Sequence, residues 1–96
     1  MLNGPWDGKS ILITGGTGSL GHALTAYLLE YAKPRKVIIF SRDEFKQSIM
    51  RQEFPDARMR WWIGDIRDVD RLRWAFQDVD VVIHAAALKQ VPSCED

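Results

Sequence analysis

A short apolar run, Ile11-Leu12-Ile13, leads directly into Thr14-Gly15-Gly16-Thr17-Gly18-Ser19-Leu20-Gly21, and a helical pattern follows. A buried strand, a glycine turn and a helix in that order define the context of a dinucleotide-binding loop. Each glycine has a physical task there. Gly15 can take the positive φ that a tight turn needs. Gly18 has no Cβ, so the backbone can come close to a pyrophosphate, and Gly21 lets the helix pack closely. The first amides of the helix would then face the phosphates, with the helix dipole favouring their charge. A glycine-rich turn without any ligand is the alternative, and the flanking pattern is what argues against it.

The rest of the chain keeps alternating short apolar runs with helical periodicity. Ser10 to Ile13 predicts a first strand. Leu20, Ala23, Leu24, Tyr27, Leu28 and Tyr31 fall at helical spacing and predict an apolar stripe on a first helix, ended by Pro34. Lys36 to Phe40 predicts a second strand, apolar and β-branched as in a parallel sheet. Ser41 and Glu44 suggest a capping box for a second helix, with Phe45 and Ile49 facing inward. Met59 to Ile63 predicts a third strand, with Trp61 and Trp62 on opposite faces. Val69, Leu72 and Phe76 mark a third helix, and Val79 to His84 a fourth strand.

Strands alternating with helices imply right-handed parallel βαβ units. The expected fold class is α/β, a Rossmann-like parallel sheet whose first four strands run in the order 3-2-1-4. A doubly wound domain of this kind continues with further strands. Residues 1–96 therefore read as the N-terminal part of an NAD(P)-binding domain, without a substrate domain. Strand four would then present an apolar edge prone to association.

Composition excludes more than it selects. With 96 residues, 46% hydrophobic and 27% charged, the chain suits one small globular unit. A net charge of +0 offers nothing to draw it to nucleic acid or an anionic membrane. No apolar run reaches the roughly 20 residues of a membrane span, and the start lacks the pattern of a signal peptide. The single cysteine, Cys94, forms no internal disulfide and fits a reducing, cytoplasmic compartment. Two scattered histidines and one cysteine make no metal cluster.

The end of strand two is where such a fold discriminates between cofactors. An acidic residue there accepts the ribose hydroxyls of NAD, whereas a guanidinium accommodates the 2′-phosphate of NADP. Ser41-Arg42 stands at that place, and Arg42 offers a bidentate fork to phosphate. Lys46 lies one helical turn on. The expectation is NADP over NAD; the alternative is that both cations are solvated surface charges. Gly64-Asp65-Ile66-Arg67-Asp68 follows strand three. Asp65 there can accept the adenine amino group and Ile66 can pack on the ring, while Asp68 can cap the next helix. Ala85-Ala86-Ala87 follows strand four, its small side chains suited either to backbone approach by a ribose or nicotinamide or to close helix packing. Lys89 can meet a phosphate or sugar, or remain solvated. His84 suits a hydrogen-bonded structural role better than that of a catalytic base, and His22 is given no role. No catalytic residue can be named.

Taken together, Thr14 to Gly21, Asp65-Ile66 and Ala85 to Ala87 resemble an extended short-chain dehydrogenase/reductase. The segments Ser41-Arg42-Asp43-Glu44-Phe45-Lys46-Gln47, Arg58-Met59-Arg60, Gly64 to Asp68 and His84 to Pro92 narrow the resemblance to inverting UDP-N-acetylglucosamine 4,6-dehydratases of the polysaccharide-biosynthesis group. It spans about Lys9 to Glu95. It implies that Thr17, Gly18, Ser19 and Leu20 wrap the pyrophosphate, and that Ser41 to Lys46 hold the phosphate end of NADP. Asp65 and Ile66 would contact adenine. Ala86 would lie by the cofactor, with Lys89 reaching the cofactor or the sugar nucleotide. In that family a hydride leaves the sugar at C4, water is lost across C5 and C6, and the hydride returns at C6 with inversion at C5. The family's Tyr-x-x-x-Lys is absent: neither Tyr27 nor Tyr31 is followed by Lys four residues on. The resemblance thus implies a cofactor-binding portion, inactive alone, of a homo-oligomeric enzyme acting on UDP-N-acetylglucosamine. Another extended-family epimerase or reductase, or a non-catalytic nucleotide-binding fragment, are the rival expectations.

Overall fold

A computed structural model of the chain describes residues 4–85. Seven elements alternate: β1 (Ser10–Thr14), α1 (Ser19–Tyr31), β2 (Lys36–Ser41), α2 (Glu44–Glu53), β3 (Met59–Ile63), α3 (Val69–Ala75) and β4 (Val81–His84). The strands form one parallel sheet in the order β3-β2-β1-β4. This is the Rossmann-like arrangement expected from the alternation.

The sheet is covered on both faces because its strands are apolar on both. Ile11 and Ile13 of β1 join Leu28 of α1 and Met50 of α2 in one cluster. Leu12 points the other way, into a second cluster with Ile38, Phe40 and Ala75 of α3. Each such fully buried side chain is worth about 1.5–3 kcal/mol. Trp61 packs with the first cluster and Trp62 with the second, as strand alternation requires. Ala85, buried at the end of β4, belongs to the first cluster, so close packing accounts for its small side chain.

The helices follow their apolar periodicity only in part. In α1, Leu28 is buried and Leu20 and Leu24 pack against the first cluster as expected, joined on the inner face by Gly21 and Thr25, while Ala23 is exposed and Tyr27 and Tyr31 lie against each other in solvent. In α2, Phe45 is 71% exposed and Ile49 is exposed as well; Gln47 and Met50 are buried instead. Gln47 faces inward because the sheet edge offers acceptors. Its Nε2 donates to the Trp62 carbonyl at 2.7 Å and to Ser41 Oγ at 3.0 Å. The suggested capping box is also corrected. Ser41 still pairs with Ile63 as the last residue of β2, and Asp43 is the N-cap, accepting from the Lys46 amide at 2.9 Å. In α3 the inward residues are Leu72 and Ala75; Val69 faces out, and Phe76 is the C-cap. β4 begins at Val81 rather than Val79. Asp80 is held before it by a reciprocal pair, its N–H donating to the Ser10 carbonyl and its carboxylate accepting from the Ser10 N–H, both at 2.8 Å.

The turn into β3 is braced by Asp56-Ala57-Arg58. The Asp56 carboxylate accepts from the Arg58 backbone N–H at 2.9 Å, from Nε at 3.0 Å and from Nη2 at 2.9 Å. The same guanidinium reaches the Leu29 carbonyl of α1 at 3.1 Å, tying the strand to the helix. Arg58 stabilises the ionised carboxylate, so its hydrogen bonds lower the Asp56 pKa to about 2. Among the described residues, no helix is long and apolar enough to cross a membrane.

Candidate functional site

The parallel strands all end at one edge, where three loops diverge. The Gly15 N–H continues the ladder to the Phe40 carbonyl, and the Gly64 N–H to the Ser41 carbonyl, each at 2.9 Å. Beyond these last bonds the chains separate and leave a crevice of about 460 Å³. Thr14, Gly15, Phe40, Ser41, Arg42, Gly64, Asp65, Ile66 and Arg67 line it. That size and position match the ligand crevice of an open parallel sheet.

The glycine loop is built as its sequence requires. Gly15 has φ +65°, in the left-handed region. Gly21 is essential sterically: a Cβ there would lie 2.0 Å from the Gly16 carbonyl oxygen and 2.4 Å from its carbon. The start of α1 is therefore pressed against the loop backbone, and only glycine permits it. Gly18 is the N-cap at φ −82°, a value any residue adopts. What sets α1 apart is its open N-terminus. No side chain caps it and its first turn has no acidic residue, whereas Asp43 caps α2 and Asp68 caps α3. Its first amides are free to meet an anion. His22 steadies this end, its Nδ1 2.9 Å from the Gly18 carbonyl and its Nε2 2.8 Å from Glu53 at the end of α2.

At the other side of the crevice, Arg42 and Asp65 approach from two loops, Nη1 to Oδ2 at 3.6 Å. Asp65 is held more firmly by Arg67, whose Nη2 donates to Oδ2 at 2.7 Å and Nε to Oδ1 at 3.1 Å; its backbone N–H adds a bond to Oδ1 at 2.9 Å. These hydrogen bonds, with the charges of Arg67 and Arg42, hold the Asp65 carboxyl well below the usual carboxylate range and raise the Arg67 pKa. The Asp65-Ile66-Arg67 turn repeats the Asp56-Ala57-Arg58 device, an aspartate accepting from the amide and guanidinium two residues on. Gly64 makes room for the floor of the site, since a Cβ there would lie 2.7 Å from Phe40 Cζ.

Of the residues expected to bind, the structure brings Gly15, Ser41, Arg42, Asp65 and Ile66 into one crevice. Thr17, Gly18, Ser19, Leu20 and Gly21 lie on the adjoining turn and helix start, and Leu20 packs partly against the core. Lys46 is exposed on the first turn of α2 and does not line the crevice. Ala86 and Lys89 lie outside the described residues. His84 takes the structural part expected of it, its Nδ1 2.9 Å from Thr14 Oγ1 across the β1–β4 pair. Arg67 was missed as a site residue, although an Asp-x-Arg spacing present twice in the chain is a signal that could have found it.

Comparison with known proteins places the chain in a family. The family described as polysaccharide biosynthesis protein matches residues 11–96. The chain belongs to that family. It is 58% identical over 90 residues to the UDP-N-acetylglucosamine 4,6-dehydratase (inverting) of Campylobacter jejuni, covering 94% of this chain and 27% of that protein. It is 47% identical over 90 residues to a UDP-glucose 4-epimerase of Rickettsia bellii, covering 91% of this chain and 26% of the relative. The chain thus spans about a quarter of the length of these curated relatives. Among solved structures, a short-chain dehydrogenase/reductase (wide type) of Veillonella parvula, in complex with NADP, superimposes with a TM-score of 0.67 at 26% identity, over 79% of this chain and 34% of that one.

Proposed function

We propose that this chain is the NADP-binding portion of an inverting UDP-N-acetylglucosamine 4,6-dehydratase. The observation that carries the reading is the pairing of an uncapped α1 N-terminus behind Gly15 to Gly21 with a crevice that holds Arg42 at the end of β2. These residues fit a phosphorylated dinucleotide. The loop from Thr17 to Gly21 would take the pyrophosphate on backbone amides and the helix dipole. Ser41 and Arg42 would hold the adenosine 2′-phosphate, with Lys46 adding charge nearby. Ile66 would pack on the adenine, and Asp65 would accept its amino group. Ala86 would lie by the cofactor, and Lys89 would reach the cofactor or the sugar nucleotide. When bound, the nicotinamide would supply a reversible acceptor for the hydride at C4 of the sugar. The chain's own contribution is to hold and orient that group, since its tyrosines lack the paired lysine that proton transfer in the family uses.

Identity of 58% to the dehydratase, against 47% to the epimerase over nearly the same span, ranks an epimerase portion as the second reading. Calorimetric titration with NADP and NAD tests the cofactor assignment. NADP should bind more tightly, and Arg42→Ala should weaken NADP about fivefold to tenfold, the effect of losing a charge-assisted contact, while sparing NAD. Equal weakening of both would refute the role of Arg42, and binding of neither would refute the proposal as a whole.

A further inference from the structure

We infer that Arg67 is a specificity-determining residue of the crevice, because it engages the Asp65 carboxylate that would otherwise repel a 2′-phosphate held beside Arg42. The inference rests on the NADP-binding reading above, and assigns to Arg67 an electrostatic part in it.

Asp65 and Arg42 face each other at 3.6 Å, so the carboxylate lies next to the guanidinium that would hold the phosphate. An acidic side chain near the adenosine ribose favours hydroxyls and opposes a phosphate, which is how such folds select NAD. In this chain the carboxylate is not left free. The Arg67 guanidinium spans both of its oxygens, at 2.7 Å and 3.1 Å, a geometry that lysine cannot reproduce. Two guanidiniums and one carboxylate leave the cluster with a net positive charge. Without Arg67, the Arg42 and Asp65 charges cancel, and an incoming phosphate meets no net attraction. The Asp65 pKa, held low by the same pair, keeps the carboxylate ionised at the pH of any ordinary binding assay. Arg67 is exposed on its turn and belongs to neither apolar cluster, so its removal acts on charge more than on folding.

The test is a titration of the 96-residue chain with NADP and with NAD, for the parent, Arg67→Ala and the double variant Arg67→Ala/Asp65→Asn. Arg67→Ala should weaken NADP about fivefold, the scale of a solvent-exposed charge interaction, and leave NAD within about twofold. The double variant restores the net charge around Arg42 and should bring the NADP-to-NAD affinity ratio back to within about twofold of the parent ratio; the adenine contact of Asp65 is common to both dinucleotides, so its loss cancels in that ratio. Arg67→Gln, which keeps the stem but not the charge, gives the same comparison should the alanine variant unfold. An equal loss for both dinucleotides that Asp65→Asn does not rescue marks a merely structural role and overturns the inference, as does an unchanged NADP affinity. A parent that binds neither dinucleotide removes the NADP reading first and this inference with it, whereas a parent that binds NADP isolates the failure to Arg67.

Discussion

Replacing Gly21 with alanine sets two effects against each other, and the structure decides between them. In an exposed helix interior, Gly→Ala stabilises by about 1 kcal/mol through propensity. At Gly21 the new Cβ would stand 2.0 Å from the Gly16 oxygen and 2.5 Å from its Cα, both well inside the 3.4 Å at which ordinary contact begins. All the opposing atoms are backbone, so no side chain can rotate away. Either α1 moves off the loop or the turn at Gly15 opens, and each strains a well-packed region at a cost of about 1–3 kcal/mol or more. The clash outweighs propensity, for a net loss of about 1–2 kcal/mol. For a domain of this size that corresponds to a fall in Tm of roughly 4–15 °C. The displaced helix start would also carry its amides away from the phosphate position, so NADP affinity should fall together with stability. Gly8→Ala is the control: at φ +71° with nothing within 4 Å, it carries conformational strain without a clash and should leave binding alone. Thermal unfolding followed by circular dichroism, with calorimetry for NADP, reads both quantities. A Gly21→Ala chain that melts at or above the parent temperature would show that helix and loop are not in the close contact described.

Two further perturbations probe the scaffold. The Asp56 pKa lies below the ordinary 3.8, at about 2, so the Arg58 pair stabilises the fold above that ordinary value and its contribution disappears as pH falls from about 4 through about 2. Partial exposure limits it to about 1 kcal/mol, and urea unfolding of Asp56→Asn should fall furthest short of the parent at pH 6, with the gap narrowing towards pH 2; a constant difference at both pH values would refute the assignment. Gln47→Leu keeps the volume but loses the donor to Trp62 and Ser41, so chemical denaturation should report a loss of about 1–3 kcal/mol, and a stabilised variant would show that this amide is dispensable.

Much of the fold was legible because its signals are local. Ile11 to Ile13, Lys36 to Phe40 and Met59 to Ile63 announce strands by composition alone, and the alternation with helices leaves one parallel topology. The helix faces were less legible. Apolar periodicity in α2 points to Phe45 and Ile49, yet the buried position belongs to Gln47, because the Trp62 carbonyl and the Ser41 hydroxyl lie beneath it. The cap of α2 is illegible for the same reason: the Ser41-x-x-Glu44 pattern points to Ser41, whereas Asp43 is the N-cap. Whether Ser41 ends a strand or begins a helix depends on Ile63 lying alongside to pair with it.

The sequence by itself determined the glycine loop, since a positive φ at Gly15 and the absence of a Cβ at Gly21 are properties of the residues. It also determined which cation stands at the end of β2. Only the tertiary structure decided what that cation meets. Arg42 and Asp65 are distant in the chain, and they face each other because β2 and β3 are neighbours whose last hydrogen bonds fall side by side. The charge of the crevice is therefore a property of the sheet: a local pattern can place each ionic group on a loop, but strand order and register bring the loops together.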